Sequence, residues 1–212
     1  MALYLKKELD DDARIYVWEI TETEEELMAT TSVPDNELEE LQYTRSEARR
    51  KEKLATRALL NEIFPEKLYL GHHDNGKPYL QNTAMEISIS HTNRFVAILL
   101  HPDEDLGIDI ECLDRDFSAV EKKALSEDEL EDLEDDKRKT LQLAIYWCAK
   151  EAIYKRMSVS GVDFAEQIEV ERFTPRDEGE IEATFAHKDG TELEFELNYE
   201  VFENHVMVWV VG

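Results

Sequence analysis

Two apolar runs, Val96–Leu100 and Val206–Val211, frame this chain, because each has the length of a buried strand and each closes a similar pattern. Ahead of the first run, residues 3–20 read as an opening strand or hairpin, and 22–28 and 35–64 favour helix. In the longer stretch Leu54, Ala55, Ala58, Leu59 and Ile63 recur at helical spacing, and Pro65 supplies the stop. Gly71–Pro78 is dense in turn residues and predicts a loop, after which Ile87 and Ile89 alternate with Ser88 and Ser90 as in a strand. The pattern restarts after a turn region at 101–105. A short strand at Leu106–Ile110 precedes helical stretches at 117–134 and 137–157, and alternating segments near 169–172, 181–185, 193–199 and 206–211 predict an antiparallel sheet. The expectation is an α+β fold in two similar halves, residues 1–103 and 104–212, related by a pseudo-twofold and with the site at their seam.

Composition narrows the function. The 212 residues hold 50 Asp and Glu against 24 Lys and Arg, a formal net charge of −26. Such a field repels polyanions, so nucleic acid is not an expected partner. Neither apolar run approaches the roughly 20 residues of a membrane helix, and no apolar stretch follows the N-terminal lysines as in a secretory signal. No membrane partner and a cytoplasmic location are therefore expected. Cys112 and Cys148 have no metal-ligand spacing and read as buried apolar fillers.

Gly107-Ile108-Asp109-Ile110-Glu111 is the most informative stretch. On a strand Asp109 and Glu111 share one face, with Ile108 and Ile110 on the other. Two carboxylates on one face repel and suit a hard cation such as Mg²⁺; a solvated strand face is the plain alternative. In Trp147-Cys148-Ala149-Lys150-Glu151 through Lys155, an apolar stripe of Leu141, Ile145, Cys148 and Ala152 would carry Glu151 and Lys155 on its flank as i,i+4 neighbours. That spacing equally describes an ordinary helix-stabilising ion pair.

Asn75-Gly76-Lys77-Pro78-Tyr79, Ile87-Ser88-Ile89-Ser90-His91-Thr92, the Gly107–Glu111 motif and the Trp147–Lys155 motif follow one another at characteristic separations. Taken together they resemble the 4′-phosphopantetheinyl transferases, specifically the long, pseudo-dimeric type that activates surfactin synthetase. The resemblance implies transfer of the phosphopantetheine arm of coenzyme A to a serine of an apo acyl or peptidyl carrier protein, releasing adenosine 3′,5′-bisphosphate. It assigns Mg²⁺ to Asp109 and Glu111, with Glu151 as a further ligand or as the base on the serine, and Lys155 to the pyrophosphate and departing phosphate. Ser90 and His91 are implied on coenzyme A phosphates, and Lys77 beside the nucleotide. Arg49 and Arg50 are the candidates for the 3′-phosphate, with Arg45 a further one; His72 and His73 remain loop residues. The long type also implies a monomer.

Ser158 and Ser160, followed by Gly161, replace a common Gly-x-Gly, and Thr92 replaces a serine. A catalytically degenerate paralogue, binding coenzyme A or a carrier protein as a regulatory module, is the alternative. The charge is uneven: residues 1–103 hold 20 acids and 12 bases, net −8, and 104–212 hold 30 and 12, net −18. Within 45–57 the bases Arg45, Arg49, Arg50, Lys51, Lys53 and Arg57 face only Glu47 and Glu52. This local basic patch is expected to serve a phosphate or an acidic carrier, unless it is simply a solvated helix face.

Overall fold

The computed structural model describes residues 3–66, 68–134 and 138–212. The fold is α+β with antiparallel sheets, and the chain divides into two compact units, Met1–Asp103 and Glu104–Gly212.

In the first unit β1 (Leu3–Glu8) and β2 (Arg14–Glu19) form the opening hairpin, followed by α1 (Glu24–Thr30), α2 (Asp35–Tyr43) and α3 (Glu47–Ile63). Small strands β3 (Leu70–His72) and β4 (Pro78–Leu80) pair with each other, and β5 (Glu86–His91) and β6 (Phe95–His101) complete a sheet ordered β1-β2-β6-β5. Leu54, Leu59 and Leu60 of α3 pack with Trp18, Val96, Ile98 and Leu100 of the sheet. The helix expected over 35–64 is broken at Thr44–Ser46, and the reason is local. Ser46 caps α3 by accepting from the Arg49 N–H, and the Arg50 guanidinium donates to the carbonyls of Thr44 (2.8 Å) and Arg45 (3.0 Å) where α2 ends. The ends of the Gly71–Pro78 segment, expected as loop, belong to the β3–β4 hairpin instead.

In the second unit β7 (Leu106–Cys112) leads into α4 (Ser118–Lys123), α5 (Glu127–Glu131), α6 (Lys139–Met157) and α7 (Phe164–Gln167). The strands β8 (Ile168–Val170), β9 (Glu178–Ala186), β10 (Glu192–Phe202) and β11 (His205–Val211) follow, and the sheet runs β7-β11-β10-β9-β8. Alternation decides its faces: Ile181, Ala183, Phe185, Phe195 and Leu197 are buried, whereas Glu180, Glu182, Glu194 and Glu196 are exposed. The helix expected over 117–134 is two short ones, because Ser126 starts a new capping box with Glu129. The expected start of the next helix at residue 137 lies outside the described residues.

The expected stripe of Leu141, Ile145, Cys148 and Ala152 packs in the core, but burial on α6 extends well beyond it. Residues 142–146, 148–150, 152 and 153 are all buried, so the helix is enclosed on nearly every side. Cys148 is a buried filler as expected, but Cys112, at the end of β7, is only half-buried. No helix among the described residues is long and apolar enough to cross a membrane.

Candidate active site

In the second unit Asp109 and Glu111 of β7 and Glu151 and Lys155 of α6 are carried by the two elements where the strand crosses the helix. A Cβ on Gly107 would lie 1.9 Å from the Ala152 carbonyl oxygen and 3.1 Å from the Arg156 nitrogen, so only glycine lets the strand lie directly on the helix backbone. That approach brings Lys155 onto β7. Its Nζ donates to Asp109 Oδ1 (2.7 Å) and to the Ile108 carbonyl (2.9 Å). Lys155 thus reaches across to the strand acid instead of forming the intrahelical pair that its spacing from Glu151 suggested. Asp109 is 5% exposed, which removes the solvated-face reading for it.

Glu111 lies two residues along, half-buried, and its Oε1 accepts from Trp147 Nε1 (3.0 Å) and from the Arg115 guanidinium. Arg115 also lies over the rings of Trp147 and Phe117, at 5.2 and 5.4 Å from their centroids. Glu151 feels burial first and the Asp109 carboxylate second, and its pKa is pushed up to about 7 despite the opposing charges of Lys155 and Arg115. Burial, with Asp109 nearby, pushes the Cys148 thiol well up, which keeps it an inert filler.

The oxygen donors of Asp109 and Glu111 suit Mg²⁺, which takes one or two protein carboxylates together with phosphates and water. Among the described residues, no group of three His, Cys, Asp or Glu side chains stands ready to hold a metal ion. The positive charge beside the two strand acids comes instead from Lys155 and Arg115.

A different network surrounds the neighbouring lysine. Lys150 is fully buried, and its Nζ donates to Glu129 Oε2 (2.7 Å), the Phe164 carbonyl (3.0 Å) and the Ile168 carbonyl (2.6 Å). Glu129, 2% exposed, accepts in turn from the N–H groups of Ser126 and Val170. This pair ties α5, α6, α7 and β8 together. Beyond the end of α6, Ser158 adopts the left-handed conformation (φ 53°) that a glycine takes most easily, and Gly161 also has positive φ (71°).

In the first unit, a cleft of about 790 Å³ is lined by residues that include Arg49, Glu52, Lys53, Gly76, Pro78 and His91. The structure brings Arg49 and His91 together there, with Arg49 Nη1 3.2 Å from His91 Nε2, and both meet the buried carboxylate of Glu52. Arg50 is committed elsewhere, in a bidentate contact with Glu24 as well as the carbonyls at the end of α2. Lys77 pairs with Glu86 at 3.2 Å, and Ser90 is buried on β5. The Thr92 hydroxyl accepts from the N–H groups of Arg94 and Phe95, so it serves the β5–β6 turn. Arg49, Arg50, Lys53 and Arg57 each pair with an acid (Glu52, Glu24, Glu40 and Glu37), which offsets much of the basic segment's charge.

Sequence reading missed Arg115, Glu52 and the Lys150–Glu129 pair. Arg115 had a legible trace, four residues after Glu111, but across a turn that spacing predicts no contact.

The family model of the 4′-phosphopantetheinyl transferase superfamily matches residues 105–210, half of the chain, and the chain belongs to that superfamily. The matched segment carries β7, α6 and the whole cluster of Asp109, Glu111, Glu151 and Lys155, which gives the chain a phosphopantetheine-transferase role. No curated protein matches the chain.

Proposed function

We propose that this chain transfers the 4′-phosphopantetheine arm of coenzyme A to a serine hydroxyl of an apo acyl or peptidyl carrier protein, with Mg²⁺, releasing adenosine 3′,5′-bisphosphate. It is read as a monomeric member of the long type typified by the enzyme that activates surfactin synthetase. The observation that carries this reading is the crossing of β7 and α6, where Gly107 allows Lys155 to reach Asp109 beside a carboxyl whose pKa is raised to about 7.

Each residue has a role in that chemistry. Phosphoryl transfer is dominated by positioning and charge neutralisation. Asp109 and Glu111 would hold Mg²⁺, which supplies positive charge to the pyrophosphate when bound. The carrier serine oxygen attacks the phosphorus attached to the pantetheine arm, a new P–O bond forms, and the bond to the bridging pyrophosphate oxygen breaks. Glu151 accepts the serine proton, for which a pKa near the working pH is suited. Lys155 stabilises negative charge on the departing phosphate. Arg49, His91, Ser90 and Lys77 are assigned to the nucleotide phosphates, with Arg49 and His91 sharing the first unit's cleft. Arg50 keeps its structural place at the end of α2 in this reading.

The test is chromatography of the nucleotide product. Adenosine 3′,5′-bisphosphate should appear only when coenzyme A, an apo carrier protein and Mg²⁺ are all present, and EDTA should stop it. Coenzyme A binding without release on a panel of carriers would instead make the chain a binding module.

A further inference from the structure

Each acid that faces the proposed metal on β7 already has a cation from its own chain. Lys155 lies 2.7 Å from Asp109, and the Arg115 guanidinium donates to Glu111. The two cations differ in how they are held. Lys155 is also fastened to a main-chain carbonyl, whereas Arg115 rests on the faces of Trp147 and Phe117, with its side chain 40% exposed. Arg115 also lines an open cleft of about 400 Å³ with Lys123, Val120, Trp147, Val162 and Phe164. A guanidinium stacked on rings beside such a cleft can exchange one anionic partner for another by turning about its own side chain. Glu111 would keep its bond from Trp147 Nε1 when that happens.

We infer that Arg115 is a resident counter-cation that keeps divalent metal off Glu111 until a pyrophosphate arrives, so that metal and coenzyme A load together. The inference rests on the assignment of Asp109 and Glu111 to the metal and deepens it. A free divalent ion meets carboxylates that are already neutralised, and it must approach two positive charges without an anion to draw Arg115 away. A pyrophosphate offers Arg115 a better bidentate partner than a single carboxylate oxygen. Glu111 is then released to the metal at the step that brings the phosphates. The coupling is reciprocal, so metal must raise coenzyme A affinity by the factor that coenzyme A raises metal affinity. Arg115 is a positioning residue in this scheme, acting through Glu111.

The experiment measures Mn²⁺ binding to the full chain by electron paramagnetic resonance, with and without coenzyme A and with no carrier protein, so no turnover occurs. The wild type should bind Mn²⁺ weakly alone and at least tenfold more tightly with coenzyme A. Arg115→Met should bind Mn²⁺ alone about tenfold more tightly than wild type, with the coenzyme A effect reduced to two- or threefold. Arg115→Lys, which retains the charge, should remain within threefold of wild type, and both variants are checked for unchanged thermal unfolding. If Arg115→Met binds Mn²⁺ no more tightly than wild type while coenzyme A still promotes binding, the counter-cation role is wrong and the metal assignment stands. If coenzyme A does not promote Mn²⁺ binding and Asp109→Asn leaves it unchanged, the metal assignment itself fails.

Discussion

Lys150 and Lys155 lie five residues apart on one helix, and their surroundings give them opposite fates. Lys150 meets three acceptors in a fully enclosed network, and burial pushes its pKa down against the opposing pull of Glu129. Lys155 is about one quarter exposed and bridges to the strand that carries the acids. A buried charge can be held only when every hydrogen bond is met, and such a group has no capacity left for a ligand. A partly exposed cation on a buried carboxylate keeps solvent access, and its partner can be exchanged. The turn of helix between them therefore separates a tie within the fold from a group available for chemistry.

That contrast breaks most visibly if Lys150 is removed. Lys150→Met leaves Glu129 charged and two carbonyls without their donor, and should cost about 3–5 kcal/mol in urea unfolding. A loss below about 1 kcal/mol would mean that the network is not what holds these segments. Lys155→Met should weigh the other way. It strands the buried Asp109 carboxylate and should cost about 1–2 kcal/mol, less than Lys150→Met because Lys155 is partly exposed and Asp109 can take up a proton. Single-turnover transfer by the folded protein should fall by about 10²–10³-fold, the scale of losing one charge-stabilising donor. Equal loss of stability in both variants would erase the distinction between the two lysines.

Glu151 sharpens the comparison through pH. Its folded-state pKa is raised from 4.5 to about 7, so below about pH 4.5 both states hold the proton and the group contributes nothing. Between those values the unfolded chain ionises first, stability falls as pH rises, and the full cost is present above about pH 7. In EDTA, Glu151→Gln should therefore be more stable than wild type at pH 8 by about 2 kcal/mol, discounting the full shift for partial exposure, and equal to it near pH 4.5. A constant difference at both pH values would contradict the burial argument. The smallest effect concerns the end of α6: Ser158→Gly should add about 0.5–1 kcal/mol, because glycine occupies the left-handed region without penalty. A loss of stability would mean that the Ser158 side chain contributes more than its backbone conformation costs.

Much of this was legible in the sequence, and the failures share a cause. Alternation marked 181–185 and 193–199 as strands, and the structure buries Ile181, Phe185, Phe195 and Leu197 there; the Ile87–Ser90 alternation and the apolar run Val96–Leu100 marked β5 and β6. Asp109 and Lys155 could be singled out from local spacing, but their contact spans 46 residues and depends on the missing Cβ of Gly107. Periodicity found the core stripe of α6 but not the burial of its other sides, because buried polar residues such as Gln142 and Lys150 do not read as apolar. The basic segment at 45–57 looked like a free positive patch. Glu24, Glu37 and Glu40 come from other helices to offset it, so linear charge counting overstated the field there.

The acid balance shows the same principle. With a net charge of −26 the protein opposes anionic substrates at long range, and an anion must be captured by nearby cations. Arg115 and Lys155 lie within the acid cluster itself, and Arg49 lies in the first unit's cleft.

The most direct test is the intact mass of an apo carrier protein after incubation with the chain, coenzyme A and Mg²⁺, measured for wild type, Lys150→Arg and Asp109→Asn. A phosphopantetheine adduct with the wild type, one with Lys150→Arg in proportion to its folded fraction, and none with a folded Asp109→Asn is the expected outcome. A full adduct from Asp109→Asn would contradict the placement of the chemistry at the crossing of β7 and α6.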